Sequence, residues 1–138
     1  MRLWDISPAG QVGNTRLDGV QLEAYCDALA GFLCEFIAAN NVDDLAVDYC
    51  RMEVPGAPPP FGANHIVSPA DIKEMVYPAV AGHMSIRLKG KDCRFFSFGF
   101  DYDAWLCVRN ADLLPAPASL LRLRDISMDL IETDWYDT

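Results

Sequence analysis

The chain has 138 residues, 51% of them apolar and 22% charged, a balance that fits an ordinary globular protein and argues against global disorder. Its length predicts one domain, residues 1–138, able to bury a substantial core. Twenty acidic residues against 11 basic ones leave a net charge of −9, which argues against direct binding to nucleic acid or to an anionic membrane, since both require clustered Lys and Arg.

Residues Arg2 to Ser7 read as a short first strand stopped by Pro8, followed by a loop with Gly10 and Gly13. The spacing then predicts a helix from Gly19 to Ala39. Asp18 with Gln21 forms a capping-box pattern, and Leu22, Tyr25, Cys26, Leu29, Phe32, Leu33, Phe36 and Ile37 recur at helical period. Glu23, Asp27, Gly31 and Glu35 follow one another at four-residue steps on the opposite, solvent side. Three acids on one stripe repel, so burial of the apolar face has to hold this helix. Asn40-Asn41 supplies a left-handed stop.

A strand is expected from Leu45 to Val54, with Leu45, Val47 and Tyr49 alternating against Ala46, Asp48 and Cys50. Pro55 to Gly62 has to be a surface loop, because its four prolines cannot donate to a ladder. Ser68-Pro69-Ala70-Asp71 opens a second helix, with Ser as cap and Pro at the first position, and Pro78 is expected to end or kink it. The period then changes to two. Met84, Ile86 and Leu88 alternate with polar residues, Gly90-Lys91-Asp92 turns, Cys93 to Phe100 is aromatic, and Ala104 to Val108 follows the Asp101-Tyr102-Asp103 turn. Three such runs make an antiparallel meander. Phe96, Phe98 and Phe100 share one face, expected as a core layer against a helix. Residues Ser119 to Thr133 suit either a helix or a strand, and the alternation around Leu121 and Leu123 favours a strand with a less regular end. The pattern as a whole predicts an α+β fold, an antiparallel sheet of about 4–6 strands carrying one long N-terminal helix and one short helix.

Five cysteines at irregular spacing, with no CxxC, read as small buried residues with reduced thiols rather than a disulfide scaffold. No apolar leader follows Met1, and the apolar run Leu22 to Ala39 is broken by charges, so the expected location is cytoplasmic. No HExxH, paired CxxC, GxGxxG, P-loop or GxSxG pattern is present, so neither a catalytic residue, a metal nor a cofactor is expected. The opening Met1-Arg2-Leu3-Trp4-Asp5-Ile6-Ser7-Pro8 resembles the start of cyclase-type metal hydrolases, but their HxGTHxDxP metal motif has no counterpart here. His65, His83 and a cysteine leave open a small enzyme or ligand-binding domain, should the fold gather them.

The acids are not evenly spread. Residues 1–50 carry eight acids and two bases, 51–100 four acids and six bases, and 101–138 eight acids and three bases. Two candidate partner-binding sets follow. One is Glu23, Asp27 and Glu35 on the long helix. The other is the acidic aromatic end, Asp125, Asp129, Glu132, Asp134, Trp135, Tyr136 and Asp137, where aromatics supply buried area and acids steer a basic partner. The alternative for that end is a frayed, solubilising terminus.

In general character the chain resembles bacterial immunity proteins of the polymorphic-toxin and contact-dependent-inhibition kind: small, acidic, α+β and without catalytic motifs. The resemblance spans the whole chain but carries no motif, so it transfers no residue role. It implies a non-catalytic protein that neutralises a basic partner, a cognate toxin domain such as a nuclease. A nucleic-acid mimic, which would need its acids spaced like phosphates on one face, is the alternative use of the same charge.

Overall fold

The computed structural model describes residues 2–8, 19–98, 104–108 and 126–131. In chain order these hold β1 (Arg2–Pro8), α1 (Gly19–Ala39), β2 (Ala46–Met52), α2 (Pro69–Val80), β3 (Met84–Lys89), β4 (Cys93–Phe98), β5 (Ala104–Val108) and β6 (Ile126–Ile131). The strands form one antiparallel sheet in the order β2-β3-β4-β5-β1-β6. The expected three-strand meander is β3-β4-β5, and β2 pairs with its outer edge on β3. The N-terminal strand then inserts between β5 and β6, with Asp5 opposite Trp105 on one side and Asp129 on the other. The α+β class, the long helix and the short helix are as expected.

Helix α1 has the predicted bounds, and the predicted stripe is what it buries. Leu22, Tyr25, Cys26, Leu29, Phe32, Leu33 and Phe36 are all buried, and Ile37 is half-buried. Its end is a Schellman motif. Asn41 takes φ +53°, its N–H bonds to the Ala38 carbonyl, and the Val42 N–H reaches back to Ile37 at 3.0 Å. Val42 and Ile37 both pack on the core, supplying the apolar contact that accompanies this motif.

Helix α2 starts on the full capping box. The Ser68 hydroxyl accepts from the Asp71 N–H at 3.2 Å, and the Asp71 carboxylate accepts from the Ser68 N–H at 3.0 Å. Replacing Ser68 by Ala should lower stability by about 0.5–2 kcal/mol in a urea titration, and an unchanged midpoint would show that the cap is idle. Pro78 neither ends the helix at itself nor breaks it. The helix runs on to Val80, because the missing N–H falls within the last turn, and closes two residues later. There Gly82, at φ +90°, allows the His83 N–H to reach the Pro78 carbonyl at 2.8 Å. A side chain at Gly82 would be strained in that conformation.

Strand β2 is shorter than expected and changes parity midway. Val47 pairs with Leu88 but Tyr49 pairs with Arg87, so Asp48 is a bulge residue. Leu45 and Val47 are therefore buried, whereas Tyr49 turns out to 43% exposure and Cys50 and Met52 take the inner face. Asp48 sits outside between Lys89 (3.2 Å) and Arg87 (3.8 Å), whose opposite charges accommodate the extra residue. The free edge of β2 is covered by the chain at 64–67, through bonds from Val47 N–H to the His65 carbonyl and from the Asn64 N–H to the Val47 carbonyl.

Both helices lie on one face of the sheet, α2 over β3 and β4 and α1 reaching β6. Between them and the sheet sit Phe32, Phe36, Met75, Ile86, Leu88 and Phe96, each essentially inaccessible. Phe96 thus joins the core layer as expected, while Phe100 and the Asp101–Asp103 turn lie outside the described residues. The Gly90 turn also follows the reading. A Cβ there would stand 2.9 Å from the Asp44 carboxylate, which holds the Lys91 N–H at 2.7 Å.

Candidate functional site

The acid stripe of α1 is exposed at Glu23 and Asp27, as its spacing suggested, and half-buried at Glu35. It forms one wall of a groove of about 590 Å³ between the two helices. From α1 the groove takes Glu23, Cys26, Asp27, Ala30 and Gly31, and from α2 it takes Lys73 and Tyr77, one turn apart. The helical period explains the first set, since steps of three and four residues from Glu23 bring round the same side of the cylinder. Small residues make the space: Ala30 is buried, and a Cβ on Gly31 would meet nothing within 4 Å. Tyr77 stands 44% exposed, and Val20, one turn before Glu23, is 82% exposed. Among the described residues, Glu23, Asp27 and Lys73 make no ion pair or hydrogen bond, so the lysine does not neutralise the acids across the gap.

Two cysteines report the field along this groove. Burial pushes the Cys26 thiol up to about 11, helped by the charges of Asp27 and then Glu23. Burial also raises the Cys34 thiol, but there Lys73 works in the other direction. Cys26 and Cys34 are eight residues apart, about 12 Å along the axis. The acids Asp27 and Glu23 thus act on Cys26, and Lys73 acts on Cys34. Cys26 remains a neutral thiol at physiological pH and so a poor nucleophile.

Neither histidine forms a hydrogen bond with a cysteine among the described residues. His65 Nε2 lies 2.9 Å from the Asp71 carboxylate, with the Phe61 ring 5.9 Å from its own. That carboxylate is already committed to the helix cap. His83 contributes its main chain, accepting from the Glu53 N–H and donating to Pro78. Cys50 bonds to the Met84 sulfur at 3.8 Å, and Cys26, Cys93 and Cys107 are buried. The five thiols form no disulfide. Among the described residues no group of three or more His, Cys, Asp or Glu side chains is placed to hold a metal ion, and no helix is long and apolar enough to cross a membrane.

Asp71 gives the molecule a pH dependence of definite sign. Its carboxyl is held below the ordinary aspartate value, first by the Ser68 N–H and then by the His65 hydrogen bond. A carboxylate with a lowered folded-state pKa stabilises fully above its unfolded value, and that contribution fades as pH falls through the folded value. The difference in melting temperature between the wild type and Asp71→Asn should therefore be widest near neutral pH and narrow as the solution is acidified to about pH 2. A gap that widens on acidification would show that the pairing has been assigned the wrong sign.

Of the two predicted acidic sets, the one on α1 is described in full and the C-terminal one only at Asp129. Glu23 and Asp27 are exposed in the groove, and Glu35 is half-buried and engaged in an interaction of its own. Asp129 lies in β6, in the register row of Asp5 and Trp105, which alternates with the core row of Ile6 and Ala104. Asp125, Glu132, Asp134, Trp135, Tyr136 and Asp137 lie outside the described residues. The described acids also do not form one row: Asp48 is paired on the outer sheet face, Asp44 holds a turn, and Asp71 caps a helix. Sequence reasoning missed Lys73 and Tyr77, whose four-residue spacing on the short helix was the available signal. Compared with protein-family models, curated proteins and solved structures, the chain has no match.

Proposed function

We propose that the protein is a non-catalytic binding protein that neutralises a basic protein partner, in the manner of an immunity protein acting on a cognate toxin domain. The observation that carries the reading is the helical layer. Helices α1 and α2 present five acids (Glu23, Asp27, Glu35, Asp71 and Glu74) against one base, Lys73. Two of those acids stand without a pairing partner among the described residues on an open groove edged by an exposed tyrosine. The β2–β3 side differs, since Asp48 is there matched by Arg87 and Lys89. A one-sided negative surface speeds encounter with a basic partner and selects against acidic ones.

The neutral Cys26 thiol in the groove favours binding over catalysis there. The test is to express the product of the gene immediately upstream, alone and together with this chain. Rescue of growth, with an equimolar complex that weakens as salt rises, supports the reading. A toxic product that stays toxic, or a low-salt pull-down from the native host that recovers no stoichiometric basic partner, overturns it.

A further inference from the structure

We infer that the groove between α1 and α2 is the seat of a single arginine side chain of the partner, its guanidinium received by Glu23 and Asp27 and its plane lying against Tyr77. This deepens the binding reading above and rests on it. Four observations converge on a cation of that shape. The space is there, in an open groove of about 590 Å³ where a Cβ on Gly31 would meet nothing within 4 Å. The charge is there, and among the described residues Glu23 and Asp27 have no ion-pair or hydrogen-bond partner. The aromatic is there, with Tyr77 left 44% exposed on the facing helix. The same acids act on the Cys26 thiol at the groove floor, whereas the influence of Lys73 falls on Cys34 outside the groove.

Arginine fits better than lysine on chemical grounds. A guanidinium spreads five N–H donors over a plane, so it can bond two carboxylates one helical turn apart while stacking on a ring. An ammonium is a compact, strongly hydrated point charge that would lose its hydration shell in the groove and use less of the site. The buried, apolar floor at Cys26 and Ala30 suits the methylene stem of either side chain.

The experiment uses the full chain and two probes. The first is a set of blocked pentapeptides, Gly-Ser-X-Ser-Gly, with X as arginine, lysine or citrulline, followed by amide chemical shifts. The expected result is saturable shifts at Gly31, Lys73 and Tyr77 with the arginine peptide, weaker ones with lysine and none with citrulline, which keeps the shape but lacks the charge. Equal shifts for citrulline, or shifts confined to other surfaces, overturn the proposal.

The second probe is the basic partner itself, tested against wild type, Gly31→Leu and the shape-preserving Glu23→Gln/Asp27→Asn pair. Gly31→Leu fills the groove without changing any charge and, being on an open helical position, leaves the melting temperature unchanged or raised. Both variants should weaken the partner roughly 30-fold or more, as loss of an interface anchor does. Partner binding that is intact in both variants overturns the arginine seat while leaving the neutralising function standing. Failure of wild type to bind any basic partner removes the function itself.

Discussion

Phe32→Ala should destabilise the protein by about 3–5 kcal/mol, the cost of removing a large aromatic from a core that cannot fully collapse around the hole. Phe32 has no accessible surface and stacks on Phe36 one turn later, with ring centroids 6.4 Å apart and planes 23° off parallel. Helix α1 needs this contact more than most helices do. It has no basic residue in its last turn, no acid in its first, and an acid stripe that repels itself, so tertiary packing has to supply its stability. Against a typical total of about 5–15 kcal/mol the loss is a large fraction, and the melting temperature should fall by roughly 10–20 °C. A denaturant titration with an unchanged slope and a reduced midpoint is the expected outcome. A loss below about 1 kcal/mol would mean that α1 is not seated on the core as described. Because the acidic groove is built from the back of the same helix, the variant should also lose partner binding in proportion to its unfolded fraction and no further.

Local chemistry made much of this fold legible. Helix α1 could be bounded to the residue because eight apolar positions keep one period over 21 residues and Asn41 provides the left-handed stop. Helix α2 could be started from Ser68, Pro69 and Asp71 alone, because a capping box is a local motif whose partners are three residues apart. The failures share a different origin. A bulge at Asp48 inverts every side chain after it, and one residue of slippage leaves no trace in composition. Pro78 reads as a terminator, yet its cost depends on how many hydrogen bonds remain downstream, which the helix end decides. The insertion of β1 between β5 and β6 joins segments about a hundred residues apart, and no local pattern encodes such pairing.

The candidate site divides along the same line. The acids of α1 were visible because a helix repeats, but their setting was not. Whether Glu23 and Asp27 stand in open water or on the wall of a groove depends on where α2 crosses, and only the packing of two helices fixes that. The tyrosine and lysine that complete the groove come from that second helix. Of the acidic aromatic end only Asp129 is described, in β6 and paired in register with Asp5 of β1.

Reversing the two groove acids should have the largest effect on association. Glu23→Lys/Asp27→Lys changes the local charge by four units on one wall, leaving the buried side of α1 untouched because both residues are exposed. The basic partner should then bind about 100-fold more weakly or worse at roughly 0.1 M salt, with much of the loss in the association rate. At that ionic strength charges more than about 10 Å away are largely screened, so the effect belongs to the groove and not to the total charge. Lys73→Glu supplies the opposite sign. It reverses the one cation among the described residues lining the groove, so it should tighten the complex and steepen its salt dependence, whereas a merely structural lysine would leave both unchanged. Arg51, exposed on β2 away from the helices, is the neutral comparison, and Arg51→Gln should alter neither rate. If all three variants shift the association rate in proportion to net charge alone, the partner is reading the acidity of the whole molecule and the groove has no special part in it.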